Sequence, residues 1–176
     1  IISSRNEKKL NAVSDQINEL DISGNCSYKQ LDITNKDSIE DLSTFVSEKT
    51  NSKLNILVNS AGMNIRNPIE KIDLDDWDKV MDVNLRGALL LHQGFFGLLK
   101  AAEYGRVINI TSIFSSVTYP DRATYSSSKG ALLMLSKTLA LEWAQHNITV
   151  NSISPGPFLT EINAGVLDDK ENYEKY

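Results

Sequence analysis

Cysteine is nearly absent. Among 176 residues there is one, Cys26, so no disulfide can form within the chain and a stapled small-domain fold is excluded. A lone thiol suits a reducing compartment, and the expected location is cytoplasmic. Histidine is almost as scarce. His92 and His146 stand alone, without ligand spacing, and no metal site is expected. No apolar run approaches the roughly 20 residues that cross a bilayer. No basic stripe marks a nucleic-acid surface, and the net charge is −5. An initiator Met is missing, and Ile1-Ile2-Ser3-Ser4 reads like the tail of a strand with no leader-like segment before it. The expectation is a fragment of a longer protein.

What is present is ordinary globular composition, 41% hydrophobic and 23% charged, rather than that of a disordered tail. Short apolar runs alternate with longer helical stretches. Ile1 to Ser3, Tyr28 to Asp32, Leu54 to Val58, Arg106 to Ile110 and Ile148 to Ile153 read as strands. Glu7 to Leu20, Lys36 to Lys49, Leu74 to Leu99 and Arg122 to Gln145 read as helices. This alternation predicts one α/β domain over residues 1–176, a doubly wound parallel sheet with helices on both faces. Right-handed crossovers bring the strands' carboxyl ends to one edge, where such sheets bind ligands.

Candidate residues collect at that edge. Tyr125 and Lys129 lie one helical turn apart and share a face, so an ammonium stands beside a phenol and favours its ionised form. A tyrosine tuned in this way can donate or accept a proton. Ser112 follows the strand Arg106 to Ile110, where a hydroxyl can reach a carbonyl, although a serine there is also a common turn residue. On the long helix Trp77, Val80, Met81, Ala88, Leu91, Phe95 and Leu98 share a face with Asn84 in its middle, and a buried amide needs partners. Asn59-Ser60-Ala61-Gly62 ends the strand Leu54 to Val58, and its small residues let a flat ligand approach the backbone. Pro155-Gly156, followed by Thr160, breaks the chain after the last strand. Either of these could equally be a plain turn.

Together, Asn59-Ser60-Ala61-Gly62, Asn84, Ser112, Tyr125-Ser126-Ser127-Ser128-Lys129 and Pro155-Gly156 resemble the short-chain dehydrogenase/reductase family, with Ser112 standing 13 residues before Tyr125. The family's usual form has asparagine where Ser60 stands. The resemblance implies a Rossmann-like dinucleotide-binding fold and a catalytic tetrad. Tyr125 would act as acid in carbonyl reduction and base in alcohol oxidation. Lys129 would tune Tyr125 and hold the nicotinamide ribose, Ser112 would hold the substrate oxygen, and Asn84 would hold a water that links Lys129 to solvent. The family's glycine-rich first turn and its central first strand do not occur in the chain, nor does its C-terminal strand. The expected sheet is therefore incomplete, with the strands at Ile1 and Leu54 lacking a shared neighbour, weak cofactor binding and an inactive isolated chain.

Ser4-Arg5 closes the family's second strand. With no acid there to take a ribose 2′-hydroxyl, and a guanidinium able to fork onto a 2′-phosphate, NADP(H) is expected over NAD(H). Asp32 resembles the family's adenine-contacting aspartate, with Ile33 beside it, though an aspartate there also suits a turn or helix cap. Asn59, Ser60, Ala61, Gly62, Pro155, Gly156 and Thr160 complete the expected cofactor contacts. The Asn64-Ile65-Arg66-Asn67-Pro68 loop and the stretch from Pro155 to Asn163 look like the gluconate 5-dehydrogenase branch, in which Arg66 could pair with a sugar-acid carboxylate. A 3-oxoacyl thioester reductase, a silent binding protein and an epimerase remain as alternatives. Leu132, Leu139 and Trp143 share the Tyr125 side of the last helix, while Met134, Leu135 and Leu141 lie elsewhere around it. An all-round apolar helix implies a subunit interface, as in the family's dimers and tetramers, or a covering segment.

Overall fold

The computed structural model describes residues 1–20 and 23–157. Thr160 and the stretch to Asn163 lie outside the described residues. Five short parallel strands alternate with helices: β1 Ile2–Ser4, α1 Glu7–Asn18, β2 Tyr28–Gln30, α2 Lys36–Lys49, β3 Ile56–Asn59, α3 Leu74–Met81, α4 Gly87–Ala101, β4 Gly105–Ile110, α5 Ala123–Trp143 and β5 Ile148–Ile153. Helix starts follow local chemistry. The side chain of Asn6 accepts from the Lys9 N–H, Asn35 from Asp37 and Ser38, and Asp73 from Asp75, each satisfying amides that have no partner inside the helix.

The strands form two sheets. β1 pairs with β2, and β4 lies between β3 and β5, all parallel. No described strand joins β1 to β3. Between them opens a cavity of about 650 Å³ walled by Ile1, Ser3, Leu31, Leu54, Ile56 and Val58 among others. Ile56 and Val58, which a buried parallel strand would normally hide, remain 56% and 53% exposed. Among the described residues β1 and β3 thus lack a shared neighbour, as expected.

Apolar residues of five elements meet in one core. Ile39, Leu42 and Val46 come from α2, Leu91, Phe95 and Leu99 from α4, Val107 from β4, Leu139 and Trp143 from α5, and Ile148 and Val150 from β5. The helix expected over Leu74 to Leu99 is interrupted by a π-helical turn at Asp82–Arg86. That turn accommodates one extra residue, so the inward face shifts: Leu99 is fully buried and Leu98 only partly. Gly87 follows at once, and a side chain there would strike the Ile33 carbonyl, so only glycine lets α4 approach this loop.

Candidate active site

Asn84 sits within the π turn, fully buried. Its side-chain nitrogen donates to the Met63 carbonyl and to Ser128 Oγ, both at 2.9 Å, and its oxygen accepts from the Met63 N–H at 2.8 Å. The amide thereby ties the loop after β3 to α5. Such turns often mark functional sites, because the extra residue re-aims a side chain without ending the helix. Ser128 Oγ in turn donates to the Tyr125 carbonyl.

Ser112 follows β4 in extended conformation and caps the short turn Ile113–Ser115, its hydroxyl oxygen accepting from the Phe114 N–H. The Ser112 hydroxyl faces the Tyr125 phenol and favours its ionised form, against the upward pull of burial. The Phe114 ring meets Tyr125 edge-on, with centroids 6.4 Å apart. The Pro155 carbonyl accepts from the Ile113 N–H at 3.1 Å, fixing the Pro155-Gly156 turn beside Ser112.

Lys129 shares the Tyr125 face as its spacing implies, with Nζ 5.8 Å from the phenol ring centroid. The expected electrostatic pairing differs, however. Burial leaves the ammonium in need of an acceptor, and Lys129 Nζ donates to the Ile110 carbonyl at the end of β4, 2.8 Å away. Burial also pushes Lys129 down to about 8. Tyr125 is moved up by desolvation, with the Ser112 hydroxyl and the Arg122 charge opposing. In this arrangement Lys129 is not among the groups that shift the phenol.

Arg122 escaped the sequence reading. It is buried just before α5, its guanidinium 5.6 Å from the centre of the Phe114 ring. The signal available was its place one helical turn ahead of Tyr125.

The expected cofactor residues divide into two groups. Ser4, Arg5, Asp32, Ile33, Asn59, Ser60, Ala61 and Gly62 line the cavity between the two sheets. Arg5 is exposed at its lip, where Gln30 Nε2 donates to its carbonyl. Asp32 accepts from the Thr34 hydroxyl and N–H, which hold its carboxyl below the usual range, with Arg5 adding a smaller pull. Asp32 therefore serves as a turn residue whatever else it contacts. The Ile33 side chain is buried in the core. Tyr125, Lys129, Pro155 and Gly156 belong to the second group, beyond the cavity wall. Gly62 joins the two: a Cβ there would lie 3.3 Å from Lys129 Nζ and 3.5 Å from Asn84 Oδ1. Arg66 is exposed, on the loop between β3 and α3, and does not line the cavity. Among the described residues no group of His, Cys, Asp or Glu could hold a metal ion, and no helix is long and apolar enough to cross a membrane.

A phenol, a hydroxyl facing it and a buried lysine thus gather near the carboxyl ends of parallel strands, the edge at which such sheets bind ligands. The chain belongs to the short chain dehydrogenase family, whose family model matches residues 1–171. It is 37% identical to the NAD-dependent glycerol dehydrogenase of Listeria innocua over 76% of this chain and 52% of that protein. It is 32% identical to a 3-oxoacyl-acyl-carrier-protein reductase of Rickettsia bellii over 97% of this chain and 67% of that one. Among solved structures, a gluconate 5-dehydrogenase from Burkholderia cenocepacia in complex with NADP and tartrate superposes with a TM-score of 0.91 at 29% identity, covering 99% of this chain and 67% of that one. The doubly wound Rossmann-like fold is thereby shown. The chain spans about half to two thirds of the length of these curated relatives.

Proposed function

We propose that the protein carrying this chain is an NADP(H)-dependent oxidoreductase that interconverts a secondary alcohol and a ketone on a sugar acid such as gluconate. The observation that carries this reading is the meeting of Tyr125 and Ser112 at the end of β4, beside buried Lys129. A bound nicotinamide supplies or accepts the hydride. In carbonyl reduction Tyr125 gives its phenolic proton to the substrate oxygen, while the Ser112 hydroxyl donates a hydrogen bond to that oxygen and stabilises its developing charge. Alcohol oxidation reverses the transfer, and the phenolate takes the proton. Burial raises Tyr125 and keeps the phenol protonated, the form that reduction needs.

Gly62 and the neighbouring small residues fit a flat group against the backbone, because any side chain there would meet Lys129. Lys129 would hold the ribose and Arg5 the 2′-phosphate. The NADP bound by the Burkholderia neighbour supports this preference, and its tartrate, a hydroxy acid, supports the sugar-acid class. Arg66 is the candidate for the substrate carboxylate, and Gly156 for a cofactor contact. A second reading, reduction of a 3-oxoacyl thioester, is supported by the Rickettsia relative. Exposed Met134 and Leu141 on α5 and Leu89 on α4 support a dimer or tetramer.

The test follows absorbance near 340 nm, about where the reduced nicotinamide absorbs. The complete gene product is assayed with both cofactors against sugar acids and 3-oxoacyl thioesters. Turnover of a sugar acid with NADP(H), abolished by Tyr125→Phe while cofactor still binds, is the expected result. Turnover of a thioester alone would replace the substrate assignment. Full activity of Tyr125→Phe would overturn the mechanism.

A further inference from the structure

A polar chain crosses the otherwise apolar core behind the cofactor edge. His92 on α4 is fully buried, and its Nε2 lies 3.0 Å from Asn109 Oδ1 on β4. The same oxygen accepts from Asn59 Nδ2 on β3 at 3.3 Å, across the Asn59–Asn109 register pair. Asn109 Nδ2 donates to Ser136 Oγ on α5 at 2.9 Å, and that hydroxyl donates onward to the Leu132 carbonyl. Each donor and acceptor role is thereby fixed: with Asn109 Oδ1 accepting, His92 must carry its proton on Nε2. The free end of the chain is at the site. Asn59 Oδ1 accepts from the Ala61 N–H at 3.2 Å, within the turn that leads to Gly62.

We propose that His92 is a positioning residue: acting through Asn109, it fixes the Asn59 amide so that Asn59 holds the Ala61 backbone at the cofactor edge. This rests on the reading of the Asn59–Gly62 turn as a cofactor contact. Without the Nε2 donor, Asn109 Oδ1 loses its shorter bond, and the Asn59 amide gains freedom to rotate away from Ala61. The turn then loses its anchor on the side where Gly62 already passes close to Lys129 and Asn84. Lys129 and Asn84 keep their own anchors at Ile110, Met63 and Ser128, so the chemical step is spared. Burial without a charged partner keeps the ring neutral, as a single-proton donor requires. The Trp143 ring stands edge-on to it with centroids 6.2 Å apart, and holds it from that side.

The alternative is a histidine that merely fills space, and substitution chemistry separates the two. His92→Leu keeps bulk and removes the donor. His92→Gln places an amide nitrogen at about the reach of Nε2. His92→Asn keeps polarity but falls short of Asn109. All three are made in the complete gene product, and NADP(H) dissociation constants, cofactor KM, kcat and thermal midpoints are measured. His92→Leu is expected to weaken cofactor binding about tenfold, or about 1.4 kcal/mol. kcat at saturating cofactor should stay within about twofold, and His92→Gln should restore binding. If His92→Leu does not fold, His92→Asn reads the same loss. Lowered thermal midpoints with unchanged cofactor affinity in the Leu or Asn variant would overturn the proposal, as would failure of the Gln variant to recover affinity. Absence of cofactor binding by the unaltered protein would overturn both this proposal and the functional reading. Tight binding by the unaltered protein and by His92→Leu alike would remove the role of His92 alone.

Discussion

Acid should unfold this protein partly through one ring. Burial pushes His92 down to about 4, against an ordinary value of 6.5. No charge contributes to that shift; desolvation drives it, and the Asn109 hydrogen bond opposes. Between these two values the unfolded ring takes a proton that the folded ring refuses, so stability that is present above pH 6.5 drains away as the pH falls toward 4. From about pH 7 to about pH 5 the unfolded state gains most of one proton, which at 1.36 kcal/mol per pK unit costs about 2 kcal/mol. Urea unfolding at both pH values would measure it, with His92→Gln as the reference. That variant keeps a donor but cannot titrate, while the carboxylates, Asp32 included, are common to both proteins and cancel. The unaltered protein should lose about 2 kcal/mol more than the variant over this interval. Equal losses would show that the ring titrates normally and that the core around Asn109 admits water.

Three other outcomes follow from the geometry. Arg5→Ala should weaken NADP(H) about tenfold, the low end for an exposed charge-assisted bond, and leave NAD(H) nearly unchanged; equal weakening of both in a binding titration would sink the cofactor argument. Gly62→Ala places a methyl 3.3 Å from Lys129 Nζ, and turnover should fall about tenfold or more if the ammonium is displaced; unchanged kcat would mean that the lysine can shift at no cost. Arg122→Leu removes a charge that pulls Tyr125 down, so the rising limb of alcohol oxidation against pH should move to higher pH, and an unmoved limb would dismiss Arg122 from the site's electrostatics.

The alternation of apolar and helical stretches was enough to place most elements, because a strand buried on both faces and a helix with one wet face leave different spacings. The boundaries at Lys36–Lys49 and Ile148–Ile153 agree with the structure. The π turn at Asp82–Arg86 left no mark in that spacing, since it depends on where Asn84 finds partners in Met63 and Ser128, far away in sequence. For the same reason Lys129 could be placed on the Tyr125 face by spacing, but its acceptor, the Ile110 carbonyl, could not. Leu132, Leu139 and Trp143 are buried and Met134 and Leu141 exposed, but Leu135, read with the latter two, packs against the core, so the split around α5 was readable only in part. Arg122 and the His92–Asn109–Ser136 chain were not. Charge and amide groups in a core are legible only once the strands that bring them together are in register.

In this 176-residue chain the cavity lies between two separate sheets. Asn84, Ser112, Tyr125 and Lys129 all stand on or beside the three-stranded sheet, whose central strand β4 is paired on both sides. Ser4 stands on the two-stranded sheet and Arg5 and Asp32 just beyond its strands, and no described strand pairs that sheet with β3. Two paired strands are marginal on their own, and α1 with a lighter contact from α2 is what packs on these, whereas Val107 and Asn109 of β4 are wholly buried. Amides of β1 and β2 should therefore open with a free energy below that of β4. Hydrogen exchange on this 176-residue chain would read the difference, about tenfold in protection for each 1.4 kcal/mol. The expected pattern is slow exchange at Val107 and Asn109 with fast exchange over Ile2–Ser4 and Tyr28–Gln30. Uniform protection would mean that the two sheets open as one cooperative unit, and that the cavity, edged by unpaired strands, does not weaken the link between them.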